Sequence, residues 1–263
     1  MVLESEIDRQ LSNILKNYSK GQAGLDLLLQ DVEVTGLLEQ ANIVSITRMG
    51  FNDHGRVHAK VVALNALRIY TLLQNQEIQS NIIREEIGNE DDTILALLVG
   101  SYLHDIGNSI SRESHDLLGV ILSRDVLKRI LPKIYNEPGK VSHLTSVILE
   151  EILCHLGAYK ATSLEAKIVA TADGTDMAEG RARIPYRIAK PDIHKFSALA
   201  IQRVEISKGA KKPVRITVQM NDTAGIFQIE QQLLQKIMDV GFDQYVEVLA
   251  KIADGREVPY LSE

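Results

Sequence analysis

Four ionisable residues at separate points of the chain are of the types that hold a metal ion. His104 and Asp105 are adjacent at the end of the apolar run LLVGSYLHDIGN. His58 opens an earlier helical stretch, and Asp173 lies within a later one, IVATADGTD. A carboxylate that follows so many apolar residues is costly to bury unless a cation partners it. Histidine nitrogens and carboxylate oxygens without thiolates suit Mn, Fe, Co, Ni or Zn, and Mg where carboxylates dominate. The pattern indicates a divalent metal site that activates water.

The order of these residues, each on a helical stretch, resembles that of the HD-domain superfamily of metal-dependent phosphohydrolases. The matching segments are DHGRVHAKVV around His58, LHDIGN around His104 and Asp105, and IVATADGTD around Asp173. The tetrapeptide HDIG is a form seen in many members, and the resemblance runs from about Asn52 to about Pro185. It implies an all-helical fold, a metal held by these four side chains, and hydrolysis of phosphate esters, often in nucleotides.

Two further histidines resemble ligands of the two-metal branch of this superfamily, which includes cyclic-dinucleotide phosphodiesterases. His115 in SHDLLGVIL is similar to the branch's His-xxx-Gly segment, and His155 in ILEEILCHLG to its later histidine. The resemblance then implies that Asp105 bridges two metals about 3.5–4 Å apart, which clamps the attacking and leaving oxygens. Two departures weigh against a cyclic-dinucleotide substrate. No GYP tripeptide follows His155, and Asn108 stands where a lysine commonly follows HDIG.

Basic side chains concentrate in one segment of an otherwise acidic protein. The net charge is −6, yet Arg181–Arg215 holds ten basic and two acidic side chains. This balance disfavours a general nucleic-acid coat and indicates a local anionic ligand such as a phosphate. Arg181 and Arg183 directly follow the Asp173 helix, and the guanidinium fork suits phosphate oxygens, so we expect them to bind a substrate phosphate. The alternative is a solvated, charged loop and hairpin.

Further residues near the motif are candidates for supporting roles. His54 lies one turn before His58 and is predicted to stand at the rim of the site or to support a ligand, with metal ligation as the alternative. Asp176, one turn after Asp173, is a candidate to orient a ligand or a water, with a hydrogen bond to a nearby arginine as the alternative. Asp105 and Asp173 are also the carboxylates that we expect to orient the attacking hydroxide.

The chain follows a helical period up to about Lys195 and changes character after it. Apolar residues at three- and four-residue spacing predict helices over Ile7–Leu15, His58–Leu73, Thr93–His104, Leu117–Ile134, His143–His155 and Leu164–Ala178, the last begun by a capping box of Thr162 with Glu165. The runs SALAIQRVEI and PVRITVQM then predict an antiparallel hairpin, followed by helices over about Ile226–Val240 and Gln244–Ile252.

The expected fold class is therefore mainly α, an HD-domain helical bundle with a small α+β C-terminal appendage. We divide the chain into an N-terminal helical segment over residues 1–50, an HD-type metal-binding catalytic domain over 51–195 and a small α+β segment over 196–263.

Length and composition exclude several other classes. With 263 residues, 45% of them hydrophobic and 24% charged, the chain is neither disordered nor collagen-like. The single cysteine, Cys154, excludes an intramolecular disulfide and a Cys-rich zinc site, and indicates a reducing compartment. The N-terminus lacks the pattern of a signal peptide, and no apolar stretch reaches the roughly 18 residues of a membrane span. We therefore expect a cytoplasmic protein.

These observations together predict a metal-dependent phosphohydrolase with one or two divalent ions per chain. We expect it to hydrolyse a phosphate mono- or diester of a nucleotide or related molecule through a metal-bound hydroxide. The expected partner is a small phosphorylated substrate and not a membrane; nucleic acid is disfavoured, and a homo-oligomer is left open. Two alternatives remain at this point: an HD-type di-iron oxygenase, and a non-catalytic HD domain that binds a nucleotide or RNA through the basic segment.

Overall fold

Helices form the chain as far as residue 178. The computed structural model describes residues 2–178, 197 and 199–262. The helices of the first part are α1 (Val2–Leu15), α2 (Ser19–Gln30), α3 (Val32–Asn42), α4 (Arg56–Gln74), α5 (Asn81–Arg84), α6 (Glu90–Leu103), α7 (His115–Ile130), α8 (Pro138–Cys154) and α9 (Leu164–Thr175). Every helix predicted in this part is present, with shifted ends. Within the described residues, no helix combines the length and apolar character needed to cross a membrane.

Helix α6 is the centre of the bundle. Its residues from Asp92 to Leu103 are all buried, and it packs against α2, α4, α8 and α9. A helix that is apolar all round is stable only when other elements surround it. The C-terminal end of α6, where the His-Asp pair follows, therefore lies inside the molecule.

The start of α9 differs from the prediction. Ser163 is its N-cap, and the Ser163 Oγ accepts a hydrogen bond from the Ala166 amide at 3.1 Å. The predicted capping box is wrong because its two side chains have other partners. The Thr162 hydroxyl donates to Glu150 at 2.6 Å, and the Glu165 carboxylate accepts from backbone amides of α5. Glu165 therefore bonds to residues distant in sequence and does not cap α9 as the local pattern predicts.

A fully buried carboxylate at the start of α6 makes stability depend on pH. Asp92 accepts hydrogen bonds from Lys20 at 2.6 Å, from Lys140 at 2.7 Å and from the Tyr135 hydroxyl at 2.5 Å. Burial by itself raises the pKa of Asp92, but the hydrogen bonds from Lys140 and Lys20 outweigh it and lower the pKa to about 2.

Asp92→Asn is therefore expected to lower the free energy of unfolding by about 2 kcal/mol at pH 7. Because the folded pKa lies below the unfolded one, this stabilisation is complete above about pH 4 and is lost as the pH falls towards 2. Urea unfolding of both proteins across pH 7 to 2 tests this, with the exposed Asp125→Asn as control. A difference between wild type and Asp92→Asn that does not shrink in acid contradicts the prediction.

The C-terminal part contains a four-stranded sheet in the order β1-β2-β3-β4. Strands β1 (Ile201–Lys208) and β2 (Val214–Met220) form the predicted antiparallel hairpin. Strand β3 (Val246–Ile252) runs parallel to β2, and β4 (Glu257–Tyr260) runs antiparallel to β3. The helical connection from β2 to β3 consists of α10 (Gly225–Gln228), a π-helical turn (Ile229–Leu234) and α11 (Gln235–Asp239).

The predicted helix over Gln244–Ile252 is wrong, because most of this segment is strand β3. Val246, Val248, Ala250 and Ile252 alternate along the strand and are all buried. The same segment also has apolar residues at helical spacing, so periodicity fits either structure. Pairing with β2 along seven residue positions decides for the strand.

The sheet and its connecting helices share a hydrophobic core with the helical bundle. Ile216 and Val248 of the sheet belong to the same buried cluster as Leu67 of α4 and Val169 of α9, and Ile237 of α11 joins it. The fold class is confirmed: mainly α, with a small α+β appendage at the C-terminus. The proposed domain boundaries stay a prediction.

Candidate metal centre

Six side chains from five helices meet in the interior of the bundle. His58 lies in the first turn of α4, His104 and Asp105 directly follow α6, and His115 begins α7. His155 directly follows α8, and Asp173 lies in the last turn of α9. All six are buried, with exposed fractions between 0% and 8%. These are the six residues that the sequence analysis names as metal ligands, and the fold brings all of them together.

The first donor set consists of His58, His104, Asp173 and one oxygen of Asp105. The Nε2 atom of His58 lies 3.2 Å from Asp173 Oδ1 and 3.3 Å from Asp105 Oδ2. The Nε2 atom of His104 lies 3.4 Å from Asp105 Oδ2 and 3.7 Å from Asp173 Oδ1. The two Nε2 atoms are 3.2 Å apart. The four donors therefore surround one small volume.

The second donor set consists of His115, His155 and the other oxygen of Asp105. Asp105 Oδ1 lies 3.3 Å from His115 Nε2 and 3.7 Å from His155 Nε2. These two nitrogens are 3.2 Å apart. Asp105 thus presents one oxygen to each set, which is the arrangement of a bridging carboxylate.

Hydrogen bonds on the far side of the imidazole rings determine which nitrogen carries the proton. The Nδ1 atoms of His104, His115 and His155 each lie 2.7–2.8 Å from a backbone carbonyl oxygen three residues earlier. A carbonyl oxygen only accepts, so Nδ1 is the donor and the neutral ring has a lone pair on Nε2. The Nε2 lone pairs of His115 and His155 then face each other at 3.2 Å. A cation between them converts this repulsion into ligation.

The electrostatics of the centre favour ionised carboxylates and a neutral His155. For His104, burial by itself lowers the pKa, but the charge of Asp105 outweighs it and raises that pKa, so a bound metal would replace a proton there. Burial by itself raises the pKa of Asp105, but the charges of His104 and His54 outweigh it and hold that pKa well below its usual range. For Asp173, burial is likewise outweighed, first by the charge of Lys236. Burial is the main reason that the pKa of His155 falls to about 4. Ionised carboxylates and neutral imidazoles are the forms that bind metals.

The donor chemistry fits a divalent transition metal. Groups of three donor atoms, each group within 4.8 Å, are formed by His58, His104 and Asp173, by His104, Asp105 and His155, and by His54, His58 and Asp105. Imidazole nitrogens with carboxylate oxygens suit Mn, Fe, Co, Ni or Zn. The buried His/Asp groups can therefore hold a metal ion.

Gly107 lets the HDIG turn approach α7 closely. A Cβ atom at this position would lie 1.9 Å from the His115 carbonyl oxygen and 2.5 Å from the Gly119 amide nitrogen. No side chain fits there without moving the α7 backbone. The glycine therefore allows the approach that brings His115 to the carboxylate of Asp105.

Two further residues, His54 and Asn108, contact Asp105 directly. His54 is buried, and its Nδ1 lies 2.6 Å from Asp105 Oδ2, which is the supporting position predicted as one of its roles. Its backbone amide donates to the Asn42 side chain at 2.9 Å, which holds the segment before α4 in place. Asn108, at the position where lysine was expected, donates to Asp105 Oδ1 at 2.8 Å. The sequence indicates a role for His54 because it precedes His58 by four residues.

Asp176 and Lys236 each contact one member of the first donor set. Asp176 Oδ2 lies 2.7 Å from Nδ1 of His58, which agrees with its predicted role of orienting a ligand. The Lys236 ammonium group donates to Oδ2 of Asp173. Lys236 comes from α11 in the C-terminal part, 63 residues from its partner. No local pattern in the sequence indicates this contact.

The two arginines predicted to bind phosphate, Arg181 and Arg183, lie outside the described residues. Their role stays a prediction. Closer to the centre, Arg112 donates to the Asn108 side-chain oxygen at 3.1 Å, and the same guanidinium nitrogen lies 3.3 Å from His115 Nε2. The centre thus has one described guanidinium beside the second donor set.

Comparison with known proteins places the chain in a family. The model of the HD domain matches residues 78–178, a range that contains five of the six predicted ligands and leaves out His58. A Methanocaldococcus jannaschii protein named "Uncharacterized protein MJ1020" is 40% identical over 238 residues, which cover 90% of this chain and 91% of the relative. No solved structure matches the chain. The chain belongs to the HD-domain superfamily, whose members are generally metal-dependent phosphohydrolases.

Proposed function

We propose that this protein is a metal-dependent phosphohydrolase that cleaves a phosphate mono- or diester of a small molecule, a nucleotide or a related compound. The observation that carries the proposal is the position of Asp105, whose two oxygens face two separate sets of buried histidines. Paired metals at such a carboxylate supply Lewis acidity at phosphoryl oxygens and lower the pKa of a bound water. His58, His104, Asp105 and Asp173 would hold one ion, and His115, His155 and Asp105 the other.

In this reaction, water adds to phosphorus and loses a proton, the ester bond between phosphorus and the leaving oxygen breaks, and the leaving oxygen takes up a proton. Asp173 lies beside the first donor set with one carboxylate oxygen towards His58 and the other towards Lys236. In that position it accepts a hydrogen bond from the attacking water and orients it. Arg181 and Arg183 are proposed to bind the phosphate, because the planar guanidinium group can donate two hydrogen bonds to phosphate oxygens.

Lys236 is proposed to neutralise charge on the phosphoryl group, because its ammonium group reaches the first donor set from the C-terminal part. Lys236→Met is therefore expected to lower turnover on the order of tenfold while the metal content per chain stays the same. Phosphate release and elemental analysis of the same preparation check this. Lys128→Met, on the exposed surface of α7, is the control. Unchanged turnover in Lys236→Met contradicts the role.

Metal analysis of the purified protein, paired with phosphate release from nucleotides and p-nitrophenyl phosphate, tests the proposed function. The assay is run with Mn, Co, Ni and Mg. We expect two ions per chain and turnover. One ion with turnover would confine the site to His58, His104, Asp105 and Asp173.

Bound metal without phosphate release would contradict the proposed function and favour one of the two alternatives. An iron pair with a mixed-valent signal and oxygen consumption would identify a di-iron oxygenase. Tight, salt-sensitive nucleotide or RNA binding without turnover would identify a binding domain. The buried set of six donors supports catalysis over the binding domain, since a domain that only binds needs none of them.

A further inference from the structure

A cavity of about 790 Å³ lies between α1, α4 and β1 and borders the metal centre at His58. His58 and Asp176 line its inner end, together with Asn65 and Thr175. None of the other five predicted ligands lines it. The cavity is therefore a space next to the donor sets, large enough for a small organic molecule.

One face of α4 supplies a continuous wall of this cavity. His58, Val61, Asn65, Arg68 and Leu72 all line it and follow one another at intervals of three or four residues. At a rise of about 1.5 Å per residue, Arg68 lies roughly 15 Å along the helix from His58. Helical side chains lean towards the N-terminus, so the guanidinium group points back towards the centre. A ligand with one end at His58 meets this group after about 10 Å.

Two arginines from different parts of the chain line the same cavity. Arg68 is half-buried and bonds to neutral groups, the side-chain oxygens of Gln10 and, at 3.4 Å, Asn65. Among the ion pairs of the described residues, none gives Arg68 a carboxylate partner. Arg203 of β1 is exposed and lies 3.6 Å from Glu205. Burial, and after it the charge of Arg203, lowers the pKa of Arg68.

The acidic residues of the cavity wall near these arginines already have partners. Glu6 accepts two hydrogen bonds from Arg9, at 2.6 and 2.8 Å, and Glu205 is paired with Arg203. The charge of Arg203 lowers the pKa of Arg68 and that of Glu6 raises it, and both guanidinium groups belong to residues that line one cavity. An anion bound in this cavity would be stabilised by both guanidinium groups. Between them and the centre, Val61 and Leu64 form an apolar wall.

We propose that this cavity is the second half of the substrate site and takes a phosphate ester that carries a further phosphate about 10 Å from the scissile one, bound by Arg68 and Arg203. The body of the substrate lies against the apolar wall of α4. The inference rests on the proposed function for the identity of the scissile group. The appended sheet then contributes directly to substrate selection through β1.

The test compares p-nitrophenyl phosphate, adenosine 5′-monophosphate and the 5′-phosphorylated adenosine di- and trinucleotides. In the wild type, we expect KM to fall about tenfold or more for the trinucleotide, because only its third phosphate lies as far as about 10 Å from the 5′-phosphate. Arg203→Gln and Arg68→Gln should each remove this advantage by raising KM, with kcat and the turnover of p-nitrophenyl phosphate unchanged. Arg256 is an exposed arginine in the turn between β3 and β4, outside the cavity, and Arg256→Gln should behave as wild type. Because Arg203 is exposed, its variant keeps the test valid where Arg68→Gln does not fold.

The outcomes separate the inference from the function on which it rests. Turnover without any preference for further phosphates, or a preference that the arginine variants retain, overturns the inference and leaves the phosphohydrolase intact. Where no ester is hydrolysed, calorimetric titration of the metal-loaded protein with the trinucleotide decides. Binding that weakens about tenfold in Arg203→Gln supports the cavity as an anion site, and absent binding overturns it.

Discussion

Asp105→Asn is expected to abolish phosphate release, with a loss on the order of 10³-fold or more, and to remove bound metal. The amide is the same size as the carboxylate, but it carries no charge and offers one oxygen, so it cannot serve two donor sets at once. Five histidine nitrogens lie within 3.7 Å of the Asp105 oxygens, and four of them belong to predicted ligands. Removing this one charge therefore affects both sets, while a loss at any other ligand affects one.

The measurement combines elemental analysis, phosphate release and circular dichroism on the same preparation. Asp31→Asn is a matched control, because it makes the same chemical change at the N-cap of α3, where asparagine caps equally well. The control should keep its metal and its turnover. An Asp105→Asn protein that is helical and still holds two ions, or turns over at the wild-type rate, contradicts the bridging role.

His155→Ala is expected to lower the metal content from two ions to one and turnover on the order of 10²-fold. His155 belongs to the second donor set only, and its Nε2 is 3.2 Å from that of His115. The first set keeps His58, His104 and Asp173, so one ion should remain bound. An ion in the first donor set would still supply Lewis acidity, but no second ion would stabilise the other of the attacking and leaving oxygens.

His143→Ala on the same helix α8 is the control, since that histidine is exposed and precedes the centre by three turns. His115→Ala should reproduce the result of His155→Ala, and it keeps the test valid where loss of the buried ring unfolds the protein. Metal content and phosphate release are again measured together. Two ions retained in both variants would rule out the second donor set as a metal site.

Much of the site could be predicted because its ligands are of unusual types in apolar surroundings. A histidine and an aspartate after eight or more largely apolar residues indicate a buried polar centre, and the ordered motif adds the other members. The structure places all six named ligands within one cluster. The helices that hold them were predictable because a repeating apolar face is a local property of the chain.

The supporting partners could not be predicted from local patterns. Lys236 reaches Asp173 only because α11 packs on α9, and Asp176 pairs with His58 across 118 residues of sequence. Segment Val246–Ile252 fits a helix and a strand equally, and its place beside β2 decides between them. In each instance the structure is determined by an interaction with a residue or strand that is distant in sequence.

The sequence by itself determined the donor types, the helical class and the family. Side-chain chemistry and the periodicity of apolar residues are local properties of the chain, so they can be recognised without knowing which residues pack together. Only the tertiary structure decided that Asp105 divides its oxygens between two donor sets, that His54 contacts Asp105, and that Arg203 of the sheet and Arg68 of α4 line one cavity. Distances between side chains depend on how helices and sheet pack, and that packing is a sum of many contacts spread over the whole chain.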